Sequence, residues 1–251
     1  ALTRGENELA TRIATNYIGA IRQRDEDAPS KMDPESVVVG EGCYALGQLG
    51  FREGLDVLAS RVTPLTEMNP RDIGEDHRGR IGQALACVTS MVQINRQDSD
   101  TPRLRQALID TYEHIPEEWP PEAPYTSRLQ VLAAMQHSFD AELLDFLHDI
   151  AGDREALADF RAVAFMAEAM LAGREQVSRL RASTQGEPEG SAVRTRFEEF
   201  EPSLATAEEC SDNLQCYLGK LTDENPMVVR KAAYMIARYG RGNQEAVTQL
   251  I

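Results

Sequence analysis

The stretch that decides the fold is Asn225 to Ile251, NPMVVRKAAYMIARYGRGNQEAVTQLI. Pro226 suits the first turn of a helix, where its missing N–H costs nothing, and the apolar rhythm carries that helix to Tyr239. Gly240-Arg241-Gly242-Asn243 breaks it, and a second apolar-periodic stretch follows with Ala246, Val247 and Leu250. Helix, glycine-rich break and antiparallel helix make a unit too small to bury its own apolar face. The same unit occurs earlier as VVVGEGCYALGQLGFREGLDVLASRV, residues 37–62. There Tyr44, Leu46 and Gly50 fall where Tyr234, Ile236 and Gly240 fall in the later copy. The pattern predicts a chain of helical hairpins, with function in a surface rather than a reaction centre.

Working outward, Leu9, Ile13, Tyr17, Ile18 and Ile21 form one stripe over residues 6–24. Helices follow over 35–49, with Gly50 as a left-handed stop, and over 53–62. Further helices are predicted over 78–94, 101–115, 127–137, 141–150, 154–171, 175–181, 193–200 and 211–221. Thr63 to Asp76 is an irregular insertion, and EEWPPEAP (117–124), which holds the only tryptophan, is too proline-rich to be helical throughout. STQGEPEG (183–190) is the most linker-like stretch, a weak break inside one domain spanning 1–251. The second helices align through Leu55/Leu58, Leu104/Leu108, Leu144/Leu147, Val177/Leu180, Leu214/Tyr217 and Val247/Leu250. Their first members step by 49, 40, 33, 37 and 33 residues, the scale of paired-helix repeats.

Composition excludes some functions. The 251 residues carry 41 acidic against 26 basic side chains, a net charge of -15. Nucleic-acid binding that rests on phosphate neutralisation needs the opposite balance, and no nucleic-acid partner is expected. No run approaches the roughly 18 to 20 apolar residues of a membrane span, so no membrane insertion is expected either. The start, ALTRGENELA, has no initiating Met, and Gln244 to Ile251 is half a hairpin without a capping helix. The expectation is a processed chain or a piece of a longer one.

ALGQLGFREGLDVL and NPMVVRKAAYMIARYGRGNQEAV resemble HEAT repeats, particularly the short bacterial type also found in phycobilin-lyase-like proteins. The family pattern of an acid or Asn, a Pro, a Val-Arg pair, small residues and then Leu-Gly is matched by Asp223, Pro226, Val229-Arg230, Ala232-Ala233 and Gly240. The resemblance implies a protein-binding scaffold and a structural ladder pairing Arg230 with an acid such as Asp223, with Arg128 and Arg161 in similar parts. Lyase activity does not carry over on this match.

Chemistry-bearing residues are weighed against plain structural roles. Cys210 and Cys216 flank Ser211-Asp212-Asn213, a plausible helix start. Inside one helix they would be separated by about 9 Å of rise, beyond disulfide reach. A bridge requires Cys210 to precede the cap and fold back, and would imply an oxidising, extracytoplasmic (periplasmic or secreted) compartment. Cys43 and Cys87 lie on apolar helical faces and are expected as buried small hydrophobes. The four histidines, His77, His114, His137 and His148, show no metal-ligand spacing, and no metal or cofactor is expected. The acidic run Glu198-Glu199-Phe200-Glu201, with Glu208-Glu209, reads as a solvated face before it reads as a site for a cation or basic peptide. Tyr44 and Tyr234 recur at one repeat position, and with Arg128, Arg161 and Arg238 they are the candidate contact residues. Core packing is the competing account of the tyrosines.

The sequence reading is therefore an all-α fold, a right-handed α-solenoid of about six paired-helix HEAT-like repeats. Its expected function is non-enzymatic, a scaffold for a protein or peptide partner. The alternative is an enzyme or accessory lyase built on a HEAT-like frame.

Overall fold

A computed structural model describes residues 34–50, 54–62, 75–95, 102–115 and 124–239, together with Arg12 and Asn16. The expected first helix over 6–24, most of the 63–76 insertion, the 117–123 connection with Trp119, and the closing hairpin after Tyr239 lie outside the described residues. Within them the protein is all-helical, with no strand. No described helix is long and apolar enough to cross a membrane. The chain divides after Ser138 into two compact units.

The first unit holds α1 (Pro34–Leu49), α2 (Leu55–Ser60), α3 (Glu75–Asn95), α4 (Pro102–His114) and α5 (Pro124–His137). Helix α3 packs on all the others, most extensively on α1. Small residues make that approach close: a Cβ added to Gly47 would meet the Ser90 Cα at 2.8 Å. Ser90 is fully buried and returns its hydroxyl to the Ala86 carbonyl at 2.7 Å, so it presents no unpaired donor. One turn away the helices are joined covalently by Cys43–Cys87, with Cα atoms 4.9 Å apart. The expectation that these two cysteines are free hydrophobes is corrected here. Both are indeed buried, but they face each other across the α1–α3 contact. Gly50 takes φ 62° at the end of α1, the left-handed stop read from sequence.

The second unit holds α6 (Leu144–Gly152), α7 (Ala158–Leu171), α8 (Val177–Gly186), α9 (Ala192–Glu198), α10 (Glu201–Cys210), α11 (Leu214–Gly219) and α12 (Pro226–Tyr239). Ten residues of α7 are buried, from Phe160 to Leu171, which leaves only a narrow stripe of Asp159, Val163 and Met166 partly exposed. A helix buried over most of its surface must be largely surrounded, and α6, α8, α9 and α10 all pack on α7. Phe165 stacks on Phe197 of α9 with centroids 3.8 Å apart and meets the edge of Phe200. Burial of each such ring contributes about 2–3 kcal/mol.

Helix starts follow their caps. Ser191 accepts from the Arg194 N–H at 3.1 Å, and Asn213 accepts from the Cys216 N–H at 3.2 Å. Asn225 accepts from the Met227 N–H at 2.9 Å, placing Pro226 in the first turn of α12. Helix α10 is absent from the sequence reading. Its buried face is Ser203, Leu204, Thr206, Ala207 and Cys210, too small and polar to give an apolar rhythm. The linker-like 183–190 stretch instead finishes α8 and buries Glu187.

Candidate functional site

The last carbonyls of a helix have no partner within it, and α7 ends in the interior. Backbone closes one of them: the Ala172 N–H donates to the Glu168 carbonyl at 2.8 Å. Lys231, fully buried on α12, donates its Nζ hydrogens to Ala169, Met170 and Ala172 at 2.9, 2.8 and 2.7 Å. Arg238, two turns on along α12, donates to the Leu171 carbonyl at 2.8 Å. Together they satisfy the end of α7 and set two cations at the negative pole of its dipole. Burial pulls the Lys231 pKa down to about 7, and the nearby Arg238 charge adds to the shift.

A second charged group lies on the same helix. Glu168 has no exposed side-chain surface, and it accepts from His148 Nδ1 of α6 at 3.1 Å and from Arg179 Nη2 of α8 at 3.1 Å. Burial raises its pKa, opposed by His148 and Arg179. Arg179 is itself desolvated, which disfavours its charge. Its hydrogen bond to Asp145 at 2.6 Å and the Glu168 charge outweigh that and raise its pKa. His148 Nδ1 faces the buried Glu168 carboxyl, and the His148 side chain is 30% exposed. A buried acid thus orients an imidazole that is partly exposed. Among the described residues no three His, Cys, Asp or Glu side chains gather as a metal would require.

Each candidate contact residue has a definite place. Arg128 is buried, donates from Nε to the Ile115 carbonyl at the end of α4, and lies 5.0 Å from the Tyr112 ring centroid. Arg161 is buried, donates from Nε to the Ala151 carbonyl near the end of α6 and pairs with Glu187. Tyr234 is buried against Phe139, ring centroids 4.8 Å apart. Phe139 itself holds φ 59°, a left-handed backbone uncommon for an aromatic residue. Arg238 is half-buried at the end of α7. Tyr44 alone of the five is well exposed, at 46%.

Four acids of the run are paired with neighbouring cations: Glu198 with Arg194, Glu201 and Glu208 with Arg181, and Glu209 with Lys220. Phe200 within it is buried.

Cys210 and Cys216 are joined, with Cα atoms 5.3 Å apart. Cys210 is the last residue of α10, and Cys216 sits in the first turn of α11, so the chain folds back before the cap as a bridge requires. All four cysteines are therefore paired. Sequence reasoning missed Lys231 and Glu168. A signal existed for Lys231, which shares the 228, 232, 235 stripe of Val228, Ala232 and Met235 and so had to be buried.

No family model, no curated protein and no solved structure matches this chain.

Proposed function

We propose that this chain is an interaction scaffold built of paired-helix repeats of the HEAT kind, continued as a solenoid, working in an oxidising compartment. One observation supports it most. The α4–α5 and α6–α7 hairpins use the same device, an Arg in the first turns of the second helix whose Nε donates to the last carbonyls of the first. Recurrence of one internal tie in two hairpins fits a repeat whose polar side chains hold neighbours in place. The cations of the second unit are largely committed to such ties or to internal ion pairs. With a net charge of -15, that leaves a surface selective against anionic partners. The disulfides Cys43–Cys87 and Cys210–Cys216 suit an extracytoplasmic setting.

A partner would meet what is exposed, and the large exposed apolar side chains among the described residues are Tyr44, Leu157 and Tyr239. The test is affinity capture with the intact oxidised chain, then calorimetry of the captured partner with native, Tyr44→Ala and Leu157→Ala proteins. Loss of a contact residue should weaken binding about tenfold or more. A partner that binds both variants as tightly as native would refute the assignment of these residues. The His148–Glu168 pair favours a second reading, an enzyme on the same frame using His148 as general base. Turnover of any substrate that is abolished in His148→Ala would support it over the scaffold.

A further inference from the structure

The two disulfides differ in kind. Cys43 and Cys87 have no exposed surface and join two long helices one turn from the tight Gly47–Ser90 contact. Cys210 and Cys216 close a ring of a few residues at a corner, and Cys216 is partly exposed while Cys210 is buried. Inside that ring the Asn213 N–H donates to the Cys210 carbonyl at 2.9 Å, which makes Cys210 to Asn213 a tight turn. Its first central residue is Ser211, at φ 50° and ψ -121°. These are type II′ values, and that position normally takes glycine, because a Cβ is strained there by about 1–3 kcal/mol.

The ring is also a docking point within the unit. The fully buried Tyr217 donates its hydroxyl to the Ser211 carbonyl at 2.8 Å. Tyr239, at the end of α12, donates to Asp212 Oδ1 at 3.1 Å. Burial raises the pKa of both phenols, so both remain donors. The ring thus fixes α11 and the last turn of α12, the helix whose Lys231 and Arg238 close the end of α7.

We infer that Cys210–Cys216 is a thiol–disulfide exchange site, opened by low-molecular-weight thiols while Cys43–Cys87 stays closed. The inference stands apart from the scaffold reading. A thiolate attacks Cys216 Sγ, the protein S–S bond breaks, and its electron pair stays on Cys210 Sγ, which takes a proton from water. A second thiolate attacks the outer sulfur of the mixed disulfide and frees Cys216 as a thiolate, which is then protonated. Two small thiols are oxidised to one disulfide, and the protein bridge is reduced to two thiols. Opening lets Ser211 leave its strained conformation, so the closed ring is the less stable for having serine there. Shielding of Cys43 and Cys87 denies the same attack in the first unit.

The experiment uses the intact oxidised chain equilibrated in glutathione buffers of graded poise, trapped by irreversible alkylation and mapped by peptide mass. Cys210 and Cys216 should label together at poises where Cys43 and Cys87 remain unlabelled. Ser211→Gly should shift the equilibrium about tenfold toward the closed ring, about 30 mV for this two-electron couple. Amide exchange in 211–222 should accelerate in step with labelling, and the Cys210→Ala/Cys216→Ala protein should show that faster exchange without reductant. Simultaneous labelling of all four cysteines would overturn the proposal. So would an unchanged midpoint in Ser211→Gly, or unaltered exchange in the reduced ring.

Discussion

An ammonium has three hydrogens, and Lys231 finds three carbonyls for them at the end of α7. A neutral amine has only two, so the contact set matches the charged form while burial works against it. Replacing Lys231 by Met keeps an unbranched apolar stem but leaves those carbonyls without donors. At about 1 kcal/mol each, the loss should be roughly 3 kcal/mol, read as a lower denaturant midpoint. The pH dependence has a definite sign. The unfolded lysine holds its proton up to the usual value near 10.5, whereas the folded one releases it at about 7. Between those values the unfolded chain binds more protons, so stability rises with pH across the window. The native protein should show that slope, and Lys231→Met should lose it. An unchanged slope in the variant would place the titration elsewhere. The position of Lys231 on an apolar stripe was legible in the sequence, but its partner was not, because Ala169 lies 62 residues earlier. Glu168 was less legible still: nothing local marks a glutamate for burial, and its partners come from α6 and α8.

Among elements, the α1–α3 contact shows what the glycines in GEGCYALG do. Gly40, Cys43 and Gly47 recur at three- and four-residue steps on α1, and Ala86, Cys87 and Ser90 answer them on α3. Small residues on both sides allow close backbone approach, so the glycines serve packing rather than a phosphate loop. Gly47→Ala gains about 1 kcal/mol in helix propensity. Against that, its Cβ would lie 2.8 Å from the Ser90 Cα, which is backbone and cannot step aside alone. Overpacking of this sort costs about 1–3 kcal/mol, so the variant should melt below native. Gly82, on α3 itself, has nothing within 4 Å of an added Cβ, and Gly82→Ala should melt above native by its propensity gain. Opposite shifts in the two thermal midpoints test the packing argument, and two shifts of one sign would sink it. Helices of this kind were readable because their buried faces are apolar and periodic, as at Leu104, Ala107 and Leu108 of α4. Helix α10 was not, since Ser203, Thr206 and Cys210 bury polar or small groups that carry no rhythm.

For the molecule as a whole, periodicity gave helix after helix, yet how helices pair rests on polar ties and cysteine links that no local pattern encodes. Cys43 and Cys87 illustrate it: each reads as a small apolar residue on its own helix, and only packing makes them partners across 44 residues. That separation also sets their weight. In the chain-entropy account, closing a loop of this length removes about 4 kcal/mol of unfolded-state freedom, whereas the six-residue separation of Cys210 and Cys216 removes about 2 kcal/mol. Total stabilities are about 5–15 kcal/mol, so the first loss threatens folding and the second does not. Alanine pairs are the right probes, because serine would bury a hydroxyl at the fully covered Cys43 and Cys87 sites. Cys43→Ala/Cys87→Ala should therefore lower the unfolding free energy of 34–138 by about twice what Cys210→Ala/Cys216→Ala takes from 139–239, each followed by amide exchange within its own unit. Deletion of Cys210–Cys216 costs less still if relief of Ser211 offsets part of it, which widens the expected gap. Equal losses, or a larger one at the short ring, would show that the corner bridge supports the fold as much as the helix staple does, and would remove the physical basis for opening one while the other holds.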